Sequence, residues 1–131
     1  MPSTAASLDV EVGIGSVDFE RIADGDGVPI IHGAQGGYHV WTAVRVQQAD
    51  VADARINLYA RFEDSHALAG DPSGLAVSLY LEGGARVAWG MRDLIHDPVA
   101  AKGKRVILRV EVVANDGRHG EAERVVVPHD S

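Results

Sequence analysis

The chain has 131 residues, a length suited to one domain, and 46% of them are apolar, which excludes disorder as the default state. The formal net charge is −7 and there is no cysteine. Disulfides and thiolate metal centres are therefore excluded, as is the Lys/Arg excess that neutralises nucleic-acid phosphates or docks on an anionic membrane.

Residues 1–7, Met-Pro-Ser-Thr-Ala-Ala-Ser, read as a flexible N-terminal segment of small and polar residues. The segment has neither the basic region nor the apolar stretch of a signal peptide, so the chain is either cytoplasmic or follows a removed signal. Leu8, Val10, Val12 and Ile14 then alternate with polar or small residues, and Val17, Phe19 and Arg21 extend a second short segment. Ala23-Asp-Gly-Asp-Gly27 is a turn by composition. Val28 to Ile31 is extended, with Pro29 suited to a sheet edge because it has no N–H to donate.

Tyr38 to Val46 reads as a strand with Val40, Thr42, Val44 and Val46 on one face and His39, Trp41, Ala43 and Arg45 on the other. Ile56, Leu58, Ala60 and Phe62 give the cleanest half-buried strand, and residues 64–74 a polar loop. Leu75, Val77, Leu79 and Leu81 share a face. Gly83-Gly84 turns this run into a hairpin with Ala85–Trp89. Residues 91–95 read as a short helical turn or an irregular crossover, stopped by Pro98. Val106, Leu108, Val110 and Val112 alternate again, Asn115 to Arg118 form a turn, and Val125 and Val127 close the last strand.

Many short alternating segments with turn residues between them, and no sustained period of 3.6, predict an all-β fold. The expectation is an antiparallel Ig-like β-sandwich of about 7–9 strands, one domain over residues 8–128 and a tail at 129–131. The two tryptophans, Trp41 and Trp89, are expected as core or near-core anchors. There is no repeat of 20–50 residues, which sets propellers and solenoids aside.

The segment Arg105-Val-Ile-Leu-Arg-Val-Glu-Val-Val-Ala-Asn-Asp-Gly-Arg-His-Gly-Glu-Ala-Glu-Arg-Val-Val-Val-Pro128 resembles the closing hairpin of bacterial Ig-like, PKD-like and fibronectin-III-like domains. Such sandwiches host many roles, so this likeness implies a fold and not an activity. A second stretch, Ile31-His-Gly-Ala-Gln-Gly-Gly-Tyr-His-Val-Trp41, carries a Gly-x-Gln-Gly-Gly-x-His-x-Trp pattern. It resembles a segment of uncharacterised bacterial extracytoplasmic proteins, many of the lipoprotein type. That likeness implies an exported domain, periplasmic, outer-membrane-associated or secreted. The chain carries no cysteine for a lipid anchor.

The same stretch is the densest candidate site. His32, Gln35, Gly36, Gly37, Tyr38, His39 and Trp41 form a glycine-rich loop that could present a ligand- or partner-binding surface. If the loop folds back, His32 and His39 could hold Zn or Cu, with His66 or His96 as a further ligand. The spacing matches no established ligand motif, and the competing reading is a glycine turn with His39 packed beside Trp41.

Asp24-Gly-Asp-Gly27 resembles the start of a Ca²⁺ loop, but the twelfth position is Gln35 where a bidentate acid is needed, so the turn reading is preferred. His119 and His129 are expected at the surface, and Asp18, Glu121, Glu123 and Asp130 as solubilising charges. No Gly-x-Ser-x-Gly elbow or Gly-rich phosphate loop is present.

The leading reading is a non-enzymatic extracytoplasmic interaction module with a protein partner, no nucleic acid, no membrane insertion and no cofactor. Homodimerisation through an edge strand is a further route. The alternatives are a small Zn- or Cu-binding sandwich, a hydrolase on a jelly-roll scaffold, and a carbohydrate-binding module, which would show exposed Trp or Tyr in a planar row.

Overall fold

Apolar–polar alternation commits each segment to a strand with one buried face, and two such sheets bury their faces only against each other. The computed structural model describes residues 7–33 and 36–130 and shows this outcome as an all-β sandwich. In chain order the elements are β1 (Val10–Ile14), β2 (Glu20–Arg21), β3 (Asp26–His32), β4 (Tyr38–Val46) and β5 (Asp53–Phe62). They continue with β6 (Ser73–Ser78), β7 (Tyr80–Glu82), β8 (Ala85–Ile95), the four-residue helix α1 (Pro98–Ala101), β9 (Val106–Ala114) and β10 (His119–Asp130).

One sheet runs β2-β1-β4-β8-β7, and the other runs β3-β10-β9-β5-β6. Strand β3 belongs to both. Asp26–Ile30 run beside Val126–Asp130 of β10, then Ile31 and His32 pair with His39 and Tyr38 of β4. The β3–β10 pair is parallel, so the expected purely antiparallel pairing holds everywhere else among the described residues but not there. Pro29 sits on β3, which has β10 as its one neighbour over that stretch, as an edge proline should. The last strand continues through Asp130, with His129 and Asp130 in register with Pro29 and Ile30, where the sequence had read a tail.

The core fills the space between the sheets. Val12, Val40, Val44, Val46 and Met91 point in from the first sheet, and Val28, Ile56, Leu58, Leu108, Val110 and Val112 from the second. Burying each leucine or isoleucine contributes roughly 1.5–3 kcal/mol. With so few aromatics, this Val/Leu/Ile layer supplies most of the apolar driving force.

Two sequence expectations change. The run Leu75–Leu81 is not one strand. β6 pairs with β5 in the second sheet, the buried Leu79 carries the chain across, and only β7 makes the hairpin with β8 in the first sheet. Residues 91–95 are neither helix nor crossover but the continuation of β8. Between Val44↔Ala88 and Thr42↔Met91, Trp89 and Gly90 stand opposite the single residue Ala43, which is a β-bulge. Gly90 has φ +69°, a conformation that favours glycine. The extra residue moves the inward slots from Ala88 to Met91, Asp93 and Ile95, so strict alternation fails across it.

Candidate functional site

The glycine-rich loop joins β3 to β4 at one end of the sandwich. Gly33 N–H donates to the Gly37 carbonyl at 2.6 Å and Gly36 N–H to the Gly33 carbonyl at 3.0 Å, with Gly36 at φ +92°. Gln35, one of the expected contact residues, lies outside the described residues.

Because neighbouring strand residues point to opposite faces, the loop's two histidines separate. His32 pairs across from Tyr38 and stacks on its ring, with centroids 4.7 Å apart and planes 14° apart. His39 lies on the other face against Trp41, edge to face at 4.3 Å. His66 occupies the turn after β5 at φ +62°, and His96 Nε2 sits 2.9 Å from Asp71. The four histidines weighed as metal ligands are not brought together, and no group of three His, Asp or Glu is placed to hold an ion among the described residues. Asp24 and Asp26 are used by the turn itself: Asp24 Oδ1 accepts from Val125 N–H and Asp26 Oδ2 from Ala23 N–H, both at 2.8 Å.

Each face of the loop opens on a different cleft. His32 and Tyr38 border a cleft of about 320 Å³, with Ile30, Val99, Lys102 and Asp130 around it. Helix α1 forms its far wall. Asp97 Oδ1 caps the helix by accepting from Val99 and Ala100 N–H, and Gly103 N–H donates to Pro128 of β10. These ties hold Val99 out in solvent at 81% exposure. Lys102 Nζ and Asp130 Oδ2 pair at 2.9 Å beside it. On the other side, Trp41, Ile31, Val40 and Ile14 border an apolar cleft of about 260 Å³, where β1 ends and β3 departs from β4.

The tryptophans are not core anchors. Trp41 and Trp89 lie half-buried on the outer face of the first sheet. The Arg92 guanidinium lies 6.0 Å from the Trp41 ring centre, and Tyr80, 58% exposed, stacks on Trp89 at 5.1 Å.

Polar groups without partners concentrate in the same sheet. His39 is buried and its Nε2 has no hydrogen-bond partner; burial, with the Arg92 charge adding to it, pushes the imidazole below its ordinary value. Asp93 faces inward opposite Val40, and neither carboxylate oxygen finds a partner, nor does the nearby Thr42 Oγ1. Burial alone raises the Asp93 carboxyl to about 7.

Sequence reading missed Val99, Lys102, Asp130, Arg45, Tyr80 and Asp93. Asp130 lay in the segment read as a tail, and Val99 and Lys102 in a stretch after Pro98 to which no element was assigned. Asp93 was hidden by the bulge, which alone gives it an inward slot.

No protein-family model matches the chain, and no curated protein sequence does either. Among solved structures, the chain is similar to the CooA pilin subunit from enterotoxigenic Escherichia coli, with 10% sequence identity, 92% of this chain and 99% of that chain covered, and a TM-score of 0.41.

Proposed function

We propose that the chain is a non-enzymatic binding module that works outside the cytoplasm and receives a protein partner at its loop end. The observation that carries this reading is the cleft of about 320 Å³ between the His32–Tyr38 stack and α1, with Val99 held in solvent at its rim. A large exposed apolar side chain on a tethered element, next to a stacked ring pair and an ion pair, is the composition of an interface centre with a polar rim. The resemblance of residues 31–41 to a segment of exported bacterial proteins supports the extracytoplasmic setting.

The test is site-specific photo-crosslinking in an extract of the source cells. A photoreactive residue at position 99 is expected to trap one partner, with trapping lost in Tyr38→Ala. The same probe at Asn115, at the opposite end of the sandwich, should trap nothing. Equal trapping at both positions, or at neither, refutes the loop-end assignment. An adduct of twice the chain's own mass would make the partner a second copy.

A further inference from the structure

The outer face of the first sheet shows a different surface from the loop end. Glu11 of β1, Arg45 of β4, Val87 of β8 and Tyr80 of β7 stand in one cross-strand row, and Gly13 and Ala43 lie in the next. Ala43 and Val87 point outward and are still fully buried, so larger side chains lie over them. The Phe19 ring lies over Gly13, the cross-strand neighbour of Ala43. A Cβ on Gly13 would come within 2.5 Å of it. Together with Trp41 and the stacked Trp89–Tyr80 pair, this gives the outer face several aromatic rings where an ordinary sandwich carries polar residues.

Two cations stand on that face without a carboxylate. Arg21, Arg105, Arg109, Arg118 and Lys102 each pair with an acid. Among the described residues Arg45, Arg55, Arg61, Arg86, Arg92, Arg124 and Lys104 have no ion pair; Arg45 and Arg92 are the two that stand beside the aromatic rings of this face, and Arg45 Nε is buried with no hydrogen-bond acceptor. Arg92 lies over Trp41, four residues along β4 from Arg45, a span of roughly 13 Å. Glu11, the acid in this row, is taken by Arg21, and Glu82 lies two residues beyond Tyr80, opposite Ala85 at the hairpin tip. In a chain of net charge −7, a face with two unanswered arginines among aromatic rings is complementary to an anion.

We infer that this face binds an acidic polysaccharide, with the C–H face of a uronate ring stacked on Tyr80 and its carboxylate held by Arg45 or Arg92. A uronic acid combines in one residue the two features the face offers, an apolar ring face and a carboxylate that suits the guanidinium fork. An acidic peptide supplies the carboxylate without the ring face, and a neutral glycan the ring face without the carboxylate. The surface is separate from the loop-end cleft, so it stands or falls independently of that cleft.

The experiment is affinity electrophoresis of the whole chain through gels containing polygalacturonate, alginate or hyaluronan, with neutral galactan and poly-glutamate as comparisons. At least one uronate polymer should retard the wild type, and rising salt should weaken the retardation. Tyr80→Ala and the pair Arg45→Gln/Arg92→Gln should each weaken it about ten-fold or more. Tyr80→Phe should retain it, which separates lost stacking from a fold defect, and Val99→Glu at the loop end should leave it unchanged. Absence of retardation by all three uronate polymers overturns the inference. Equal retardation by poly-glutamate reduces the face to a charge effect, and equal retardation by neutral galactan removes the arginines' role; either result also overturns it.

Discussion

On the sheet β3-β10-β9-β5-β6 several outward polar groups are paired, although Arg55 and Arg61 of β5 have no carboxylate partner among the described residues. Arg109 pairs with Glu121 and lies 5.3 Å from the Tyr59 ring, and Asn57 Nδ2 donates to Glu111 at 2.8 Å. Its inward slots hold Ile56, Leu58, Val106, Leu108 and Val110, all at or near zero exposure. On the sheet β2-β1-β4-β8-β7 the outward face carries aromatics and unpaired arginines, while His39, Thr42 and Asp93 are buried without partners. Unsatisfied buried polar groups cost stability, and natural proteins keep them mostly where function uses them. The buried polar groups without partners therefore gather in the irregular sheet, with Ser73 Oγ of β6 the exception among the described residues.

The largest expected effect breaks this comparison at Asp93. Unfolded, its carboxyl loses the proton near 3.8; folded, it does so near 7. Below 3.8 both states are protonated and the full stability is present, and stability is lost as pH rises through 7. The span is worth about 4 kcal/mol at pH 8. Asp93→Asn should therefore match the wild type near pH 4 and exceed it by about 4 kcal/mol at pH 8, measured by urea denaturation. His39 leans the other way, losing stability as pH falls through its ordinary 6.5, and this contribution cancels when wild type and variant are compared at one pH. Parallel pH dependence in the two proteins would show that Asp93 is solvated or paired in solution.

The contrast between the sheets also explains what the sequence made legible. Strands β5 and β9 alternate buried and more open residues along their length, and their inward residues follow from period two alone. Three features lie beyond that signal. The bulge at Trp89-Gly90 inserts one residue and hides the second half of β8. Leu79 carries an apparently continuous alternation from one sheet to the other. β3 changes sheets at Ile30-Ile31, which no local pattern marks. The loop at 32–39 was legible as a site because glycine and histidine cluster there. Its division between two faces was not, since it depends on the register of His32 with Tyr38. The tryptophans misled because large apolar residues are expected inside: period two already set Trp41 on the face with Arg45, away from Val40 and Val44, while the outward position of Trp89 shows only in the pairing around the bulge.

Gly90 tests whether the bulge holds the irregular sheet in place. Gly90→Ala forces a non-glycine residue to φ +69° and brings its Cβ to 3.1 Å from the Ser16 carbonyl oxygen. A cost of about 2 kcal/mol is expected from the conformation and the crowding together. Gly84→Ala, at φ +83° in the open β7–β8 turn with nothing within 4 Å, should cost about 1 kcal/mol, from conformation alone. Equal losses in thermal denaturation would mean that Ser16 yields freely and that the bulge is not clamped by the 15–16 segment.

The smallest effect sharpens the comparison most directly, because it sets one arginine from each outer face against the other. Arg109→Met removes an exposed ion pair and a contact with Tyr59, and should destabilise by less than about 1 kcal/mol, with the loss shrinking in high salt. Arg45→Met removes a guanidinium whose Nε is buried without a partner, so it should be neutral or slightly stabilising and insensitive to salt. The chemical change is the same at both sites, while the carboxylate partner, the Tyr59 contact and the burial of the guanidinium differ. If Arg45→Met costs more than Arg109→Met, Arg45 is holding the aromatic face together, and its lack of a partner is not a vacancy for a ligand. If it costs nothing, the fold keeps an arginine there without a stabilising return, as expected of a side chain retained for binding.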